Sequence, residues 1–186
     1  MRAILAISSL VKPIKKVQSK PHQVKVAVCN PPATINSTEV PWHAIYPPPK
    51  NPNHGGMTPS EVMSAIQSAD SSGPKNFVPV DLRRNDREGG TIRGSINLPA
   101  QTLYPSIPTL YSLFQAAGVR NIVWYCGSSQ GRGTRAAGWF NDYLVDQKDD
   151  KMSSVVLLGG IKDWVAAGEE YISCVDVYDP AKWDRL

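Results

Sequence analysis

The stretch Asn121-Ile122-Val123-Trp124-Tyr125 is apolar enough to be a buried strand, and Cys126-Gly127-Ser128-Ser129-Gln130-Gly131-Arg132 follows it without a break. From Gly133 to Leu144 apolar residues then recur at three- and four-residue intervals, the spacing of one helix face. A buried strand that passes into a helix through one short loop leaves few folds open. It also sets a cysteine at the end of the strand and an arginine at the start of the helix.

Every position between Cys126 and Arg132 except Gln130 is glycine or serine. Such a backbone can curl tightly and turn the amides of Gly127, Ser128, Ser129, Gln130, Gly131 and Arg132 toward one point, which makes an anion nest. The following helix adds its unsatisfied first-turn N–H groups and the positive end of its dipole. Arg132 supplies a planar, permanently charged fork for two oxyanion oxygens. The same field acts on the thiol: a cysteine pKa falls from about 8.5 to roughly 3.5–7.5 at a helix N-terminus or beside a cation. The expectation is a Cys126 thiolate aimed at the central atom of a tetrahedral oxyanion or a sulfur donor. Ser129 is placed to give its hydroxyl proton to that thiolate or to a departing atom. A buried structural cysteine would explain the thiol but not the loop around it.

With 186 residues, 41% of them hydrophobic, the chain can bury one good core. Its net charge of +4 is unevenly spread, because residues 1–38 carry six Lys/Arg and no acid, which leaves −2 for the remainder. Without a basic surplus on the folded part, a nucleic-acid partner is not expected. The apolar run Ala3 to Val11 is too short to span a membrane. Cys29, Cys126 and Cys174 form neither a disulfide framework nor a metal-ligand pattern. No bound cofactor or metal is therefore expected, and a reducing, cytoplasmic setting is. A mitochondrial presequence is the alternative if the segment 1–40, which carries no acid before Glu39, is a targeting signal rather than a disordered basic tail. The oligomeric state is not encoded in any feature of the sequence.

Residues 41–57, with Pro41, Pro47, Pro48 and Pro49, read as an extended lead-in that packs Trp42 and Tyr46 on a folded region spanning 58–186. Thr58, Pro59 and Glu61 signal a helix start, with Val62, Met63 and Ile66 as its apolar face. Phe77 to Asp81 reads as a buried strand, Leu103 to Ala117 as a helix and Ile122 to Tyr125 as the central strand. Val155 to Leu158 reads as a further strand, followed by a helix around Trp164. This alternation gives an α/β fold, a parallel sheet covered on both faces, with Cys126 at the carboxyl edge where ligands bind. His22, His43 and His54 all precede residue 58, so no histidine base is expected for Cys126. Asp81 and Arg83 are read as bracing residues in preference to an acid–base pair. Cys174 and Cys29 are read as unpaired thiols without a role.

Two more segments carry a family resemblance. One is Val80-Asp81-Leu82-Arg83-Arg84-Asn85-Asp86-Arg87-Glu88-Gly89-Gly90-Thr91-Ile92-Arg93-Gly94-Ser95-Ile96-Asn97-Leu98, and the other is Leu157-Leu158-Gly159-Gly160-Ile161-Lys162-Asp163-Trp164-Val165-Ala166-Ala167-Gly168. With the cysteine loop, they resemble rhodanese-like domains over about Thr58 to Tyr171, which implies a three-layer fold around a central parallel sheet. Sulfurtransferases of that family usually carry a loop one residue shorter. The seven-residue Cys-x5-Arg loop is similar to that of M-phase-inducer dual-specificity phosphatases and yeast-type arsenate reductases.

Position 131 is Gly where those phosphatases often carry a Glu proposed as an acid, and position 82 is Leu where they often carry a second cysteine. Tyr125 replaces the His before the nucleophile. Thr91 replaces another family His, which leaves a neighbouring structural contact open to disturbance. An alkoxide leaving group needs a positioned acid more than arsenate reduction does. The resemblance therefore implies, first, arsenate reductase with glutathione or glutaredoxin as co-substrate. A phosphatase acting on a phosphoprotein ranks second, and thiosulfate-type sulfur transfer third. A binding module without catalysis is the rival from outside enzymology, and the intact Cys126 and Arg132 count against it.

Overall fold

The sheet is built around one strand. In the computed structural model, which describes residues 40–51, 55–72 and 76–184, β5 spans Asn121–Tyr125. It pairs in parallel with β2 (Phe77–Asp81) on one side and β6 (Ser153–Leu157) on the other. Gly56–Met57 (β1) lies beyond β6, and Ile96–Asn97 (β4) lies beyond β2, giving five parallel strands in the order β1-β6-β5-β2-β4.

The side-chain alternation of β5 sorts the core into two layers, as the period of two of a strand requires. Ile122 and Trp124 face α2 (Leu103–Ala116) and α3 (Arg132–Gln147), packing on Leu103, Ile107, Phe114, Phe140 and Leu144. Val123 and Tyr125 face α1 (Pro59–Ser72) and α4 (Gly160–Ala166), packing on Val62, Ile66, Ile161 and Trp164. Burial of each such aliphatic or aromatic side chain stabilises the fold by about 1.5–3 kcal/mol. Trp124 is wholly buried, and its indole N–H is satisfied by Ser154 Oγ at 2.9 Å, which in turn donates to the Ala137 carbonyl.

Helix α1 begins as its sequence signals: the Thr58 N–H donates to Glu61 Oε2 at 2.7 Å, and the Glu61 N–H donates back to Thr58 Oγ1. Helix α2 runs through Pro108, which has no N–H to give to the preceding turn, because the buried stripe Leu103, Ile107, Leu110 and Phe114 outweighs that loss.

The lead-in departs from the expected extended chain. Trp42–Ile45 forms a 3-10 turn, and Gly56–Met57 joins the sheet as its edge strand. The turn folds the segment onto α2 and α3. Tyr46 stacks on Tyr104 with centroids 4.8 Å apart, Trp42 meets Trp139 edge-on, and the Trp139 indole donates to the Pro47 carbonyl. The basic segment 1–40 lies outside the described residues apart from Val40, as do Cys29, His22 and His54. Among the described residues no helix is long and apolar enough to cross a membrane.

A short antiparallel pair completes the fold: β3 (Thr91–Ile92) pairs with β7 (Val175–Asp176), which follows α5 (Glu169–Ile172). This pair escaped the sequence reading because two-residue strands carry no periodicity.

At the carboxyl end of β2 a buried polar frame fixes the loops. Asp81 and Arg83 are almost wholly inaccessible and form a two-pronged ion pair, with Arg83 Nη2 2.7 Å from Asp81 Oδ2 and Nε 3.0 Å from Oδ1. Arg83 also donates to the carbonyls of Glu88 and Gly90, so it bridges the loop after β2. Thr91 Oγ1 donates to Asp81 Oδ2 and accepts from the Tyr125 phenol at 2.8 Å, while the Ile92 N–H donates to that phenol. Thr91 and Tyr125, the two positions where the resemblance expects histidine, thus bond to each other. Burial, and then the Asp81 charge, push the Tyr125 phenol well above its ordinary range, so it stays a neutral hydrogen-bonding group. Removing one partner of a buried pair strands the other charge. Asp81→Ala is expected to lower the unfolding free energy by about 3–5 kcal/mol, read by chemical denaturation.

Candidate active site

Cys126 is 4% exposed at the carboxyl end of β5, and Arg132 opens α3. The hydrogen bonds of the loop between them are one-sided. The Cys126 carbonyl accepts from the Ile161 N–H at 3.1 Å, and the Gly127 carbonyl accepts from the Lys162 N–H at 3.0 Å. The Gln130 and Gly131 carbonyls accept from Thr134 Oγ1, and Gly131 also accepts from the Arg135 N–H. By contrast, among the described residues the N–H groups of residues 127 to 131 donate to no protein acceptor. With the carbonyls of Cys126, Gly127, Gln130 and Gly131 tied back, the loop presents amide donors, which is the polarity an anion needs.

Gly160 makes this docking possible. Its φ is +64°, and a Cβ there would lie 2.5 Å from both the Cys126 and Gly127 carbonyl oxygens. Gly160, the second of the family-like glycine pair, is thus a close backbone approach of α4 to the loop. Ser129 has φ +56°, a left-handed conformation that turns the loop back on itself. Its side chain is 3% exposed, packs against Gly133, and accepts from the Cys126 N–H at 3.3 Å.

An open cleft of about 540 Å³ lies over the loop. Of the residues singled out from sequence, Cys126, Gly127, Ser128, Gly131 and Arg132 line it, whereas Ser129 and Gln130 do not. Six residues from elsewhere complete the lining: Trp42, His43, Asp86, Gln101, Arg135 and Lys162. His43, which precedes residue 58 in the sequence, reaches the rim of the cleft but makes no hydrogen bond to Cys126 among the described residues. The 3-10 turn and the packing of Trp42 and Tyr46 on Trp139 carry it back over the site. Gln101 Oε1 is buried there without a hydrogen-bond partner among the described residues. Cys174 packs in the core layer on the opposite face of the sheet from Cys126 and is free. Among the described residues no group of three His, Cys, Asp or Glu side chains could hold a metal ion.

Arg132 does not point at an empty cradle. Its guanidinium meets the Asp86 carboxylate prong to prong, Nη1 to Oδ1 at 2.9 Å and Nη2 to Oδ2 at 2.5 Å. The Arg132 bond holds the Asp86 carboxyl well below the usual carboxylate range, at about 2. Asp86 in turn raises the Arg132 pKa, and the neighbouring Cys126 adds to that rise. Asp86 was missed in the sequence, although one signal was present. It follows β2, the parallel neighbour of β5, so the loops after the two strands leave the same edge of the sheet.

The central strand of a parallel α/β sheet thus delivers a buried cysteine into a loop that presents amide donors and ends at an arginine. Residues 58–167, more than half of the chain, match the rhodanese-like domain, and the chain belongs to that family. It is 29% identical over 97 residues to arsenical-resistance protein 2 of Saccharomyces cerevisiae, over 48% of this chain and 75% of that one. Ygr203w, a yeast protein tyrosine phosphatase of the rhodanese family, superposes with a TM-score of 0.57 at 26% identity, over 70% of this chain and 97% of that one. The As-Sb reductase of Leishmania major shares the fold, with a TM-score of 0.52 at 24% identity over 58% and 74% of the two chains.

Two outcomes follow from the loop geometry. Gly160→Ala forces a side chain into two carbonyls at positive φ, so a stability loss of about 2 kcal/mol or more is expected, together with accelerated alkylation of Cys126, read by denaturation and iodoacetamide labelling. The Asp86 pKa is depressed, so the Asp86–Arg132 pair contributes fully above the carboxyl's ordinary value of 3.8 and is lost as pH falls through about 2. In Arg132→Ala, Asp86 is expected to titrate near its ordinary value in a carboxyl-resolved NMR titration.

Proposed function

We propose that the protein is an arsenate reductase in which Cys126 is the nucleophile and an external thiol supplies the reductant. The observation that carries this reading is the loop itself: N–H groups at residues 127 to 131 without a protein acceptor among the described residues, the carbonyls of Cys126, Gly127, Gln130 and Gly131 tied back, and Arg132 beside a buried thiol. Those donors suit the oxygens of a tetrahedral oxyanion and strengthen as charge builds on them in the transition state. The Cys126 thiolate attacks arsenic, and one arsenate oxygen leaves as water or hydroxide, giving a Cys126–arsenic thioester. An external thiol such as glutathione or glutaredoxin then attacks the Cys126 sulfur. Arsenic leaves with the bonding electron pair as arsenite, Cys126 is held as a mixed disulfide, and a second thiol restores it. Two thiols thus supply the two electrons, and no bound cofactor takes part.

Ser129, which accepts from the Cys126 N–H, has its own proton left to give to the thiolate. Because it lies outside the cleft lining, it acts on the nucleophile and not on the departing oxygen. Position 131 supports reduction over ester hydrolysis: a Cβ there meets no atom within 4 Å, so space for an acid exists and glycine fills it. Asp86, held ionised by Arg132, is no proton donor in that paired state.

A phosphatase acting on an aryl phosphate, such as a phosphotyrosine protein, is the second reading. The aromatic rim of the cleft at Trp42 and His43 favours it, as does the likeness to Ygr203w. Purified protein is expected to reduce arsenate with glutathione or glutaredoxin, and Cys126→Ser and Arg132→Ala to lose at least about a hundredfold in rate. Hydrolysis of an aryl phosphate without arsenate reduction would establish the second reading instead. Thiosulfate-to-cyanide transfer alone would point to a sulfurtransferase, and inactivity in all three assays to a binding module.

A further inference from the structure

We propose that Asp86 is a specificity-determining residue of this site, an internal carboxylate that occupies the Arg132 fork and yields it only to an anion with two oxygens to put in its place. The inference rests on reading the Cys126 loop as an oxyanion site, and it adds a selection step to it. Asp86 meets Arg132 with both oxygens, and both residues line the cleft over Cys126. A carboxylate and one edge of a tetrahedral oxyanion present the same pair of acceptors to a guanidinium, so they compete for one fork.

Asp86 is held in readiness by its loop. Its Oδ1 accepts from the Arg84 N–H at 3.0 Å. Upstream, Arg83 is locked on buried Asp81 and ties the carbonyls of Glu88 and Gly90. Downstream, the Trp183 indole donates to the Gly89 carbonyl at 2.8 Å. The side chain of Asp86 is nevertheless 51% exposed and that of Arg132 24%, so released Asp86 can be hydrated without crossing the core.

A spherical monoanion such as chloride offers the fork one acceptor centre and cannot match the carboxylate it must displace. Phosphate or arsenate spans the fork and meets the amides of the loop as well. Arg135 and Lys162, on the same cleft, add positive charge that favours a dianion over a monoanion. Asp86 thereby keeps Arg132 from holding the common monoanions of solution.

The test uses the full chain and reads protection of Cys126 from iodoacetamide by inorganic phosphate and by chloride, with no need for turnover. Asp86→Asn keeps an oxygen for the Arg84 N–H and removes the charge. The phosphate concentration for half-protection is expected to fall about fivefold, the scale of an exposed ion pair, and chloride to gain more than phosphate. Asp86→Ser is expected to shift both anions in the same direction, and Asp86→Glu to behave as the native protein. Phosphate protection that neither neutral variant strengthens would overturn the role of Asp86 while leaving the oxyanion loop in place. Absence of phosphate protection in the native protein would overturn both.

Discussion

The site depends on two hydrogen bonds from the first turn of α4 to the carbonyls of Cys126 and Gly127. A helix start has N–H groups without intrahelical acceptors. A loop that curls to gather its amides must send its carbonyls somewhere else. Each needs what the other has, and the contact meets both needs at once. It also explains why α4 can be short: Gly160 lets the backbone come so close that no side chain fits between. Without this contact the small residues of the loop would be free to rotate their peptides, and the amide-lined surface would lose its direction.

A second constraint acts at the neighbouring strand. The Asp81–Arg83 pair is buried, so its net contribution to stability is small beside the cost of leaving either charge alone. What the pair provides is position. Arg83 spans the carbonyls of Glu88 and Gly90, and the Tyr125 phenol links Thr91, Ser95 and Ile92 to the last residue of β5. The frame thus joins the ends of β2 and β5, one carrying Asp86 and the other Cys126. Tyr125 and Thr91, each a departure from the family pattern when taken singly, form one contact when taken together. A phenol is long enough to reach from the strand before the nucleophile to a short hydroxyl side chain.

The lead-in extends the site beyond the family-matched residues. Trp42, Tyr46, Tyr104 and Trp139 form a run of ring contacts that brings His43 to the rim of the cleft. The exposed Lys50 adds hydrogen bonds to Asp142 and Asp146 on α3. A segment rich in proline thus acts as a wall of the cleft, because proline restricts the unfolded chain and the aromatic residues hold the folded one.

Local features were legible in the sequence because they depend on neighbours in the chain. The apolar run Ile122, Val123, Trp124 and Tyr125, the capping box at Thr58 and Glu61, and the small-residue run from Gly127 to Gly131 determined the central strand, the start of α1 and the character of the loop. The same run paired Cys126 with Arg132. Only the tertiary structure decided which distant groups meet: Asp86 on Arg132, His43 and Gln101 at the cleft, Tyr125 on Thr91, and the α4 amides on the loop carbonyls. Those contacts join residues on different elements, and they form because strand order and helix packing bring the ends of those elements to one edge of the sheet. Polar side chains leave no periodic trace, so beyond the shared edge of neighbouring parallel strands nothing along the chain paired them.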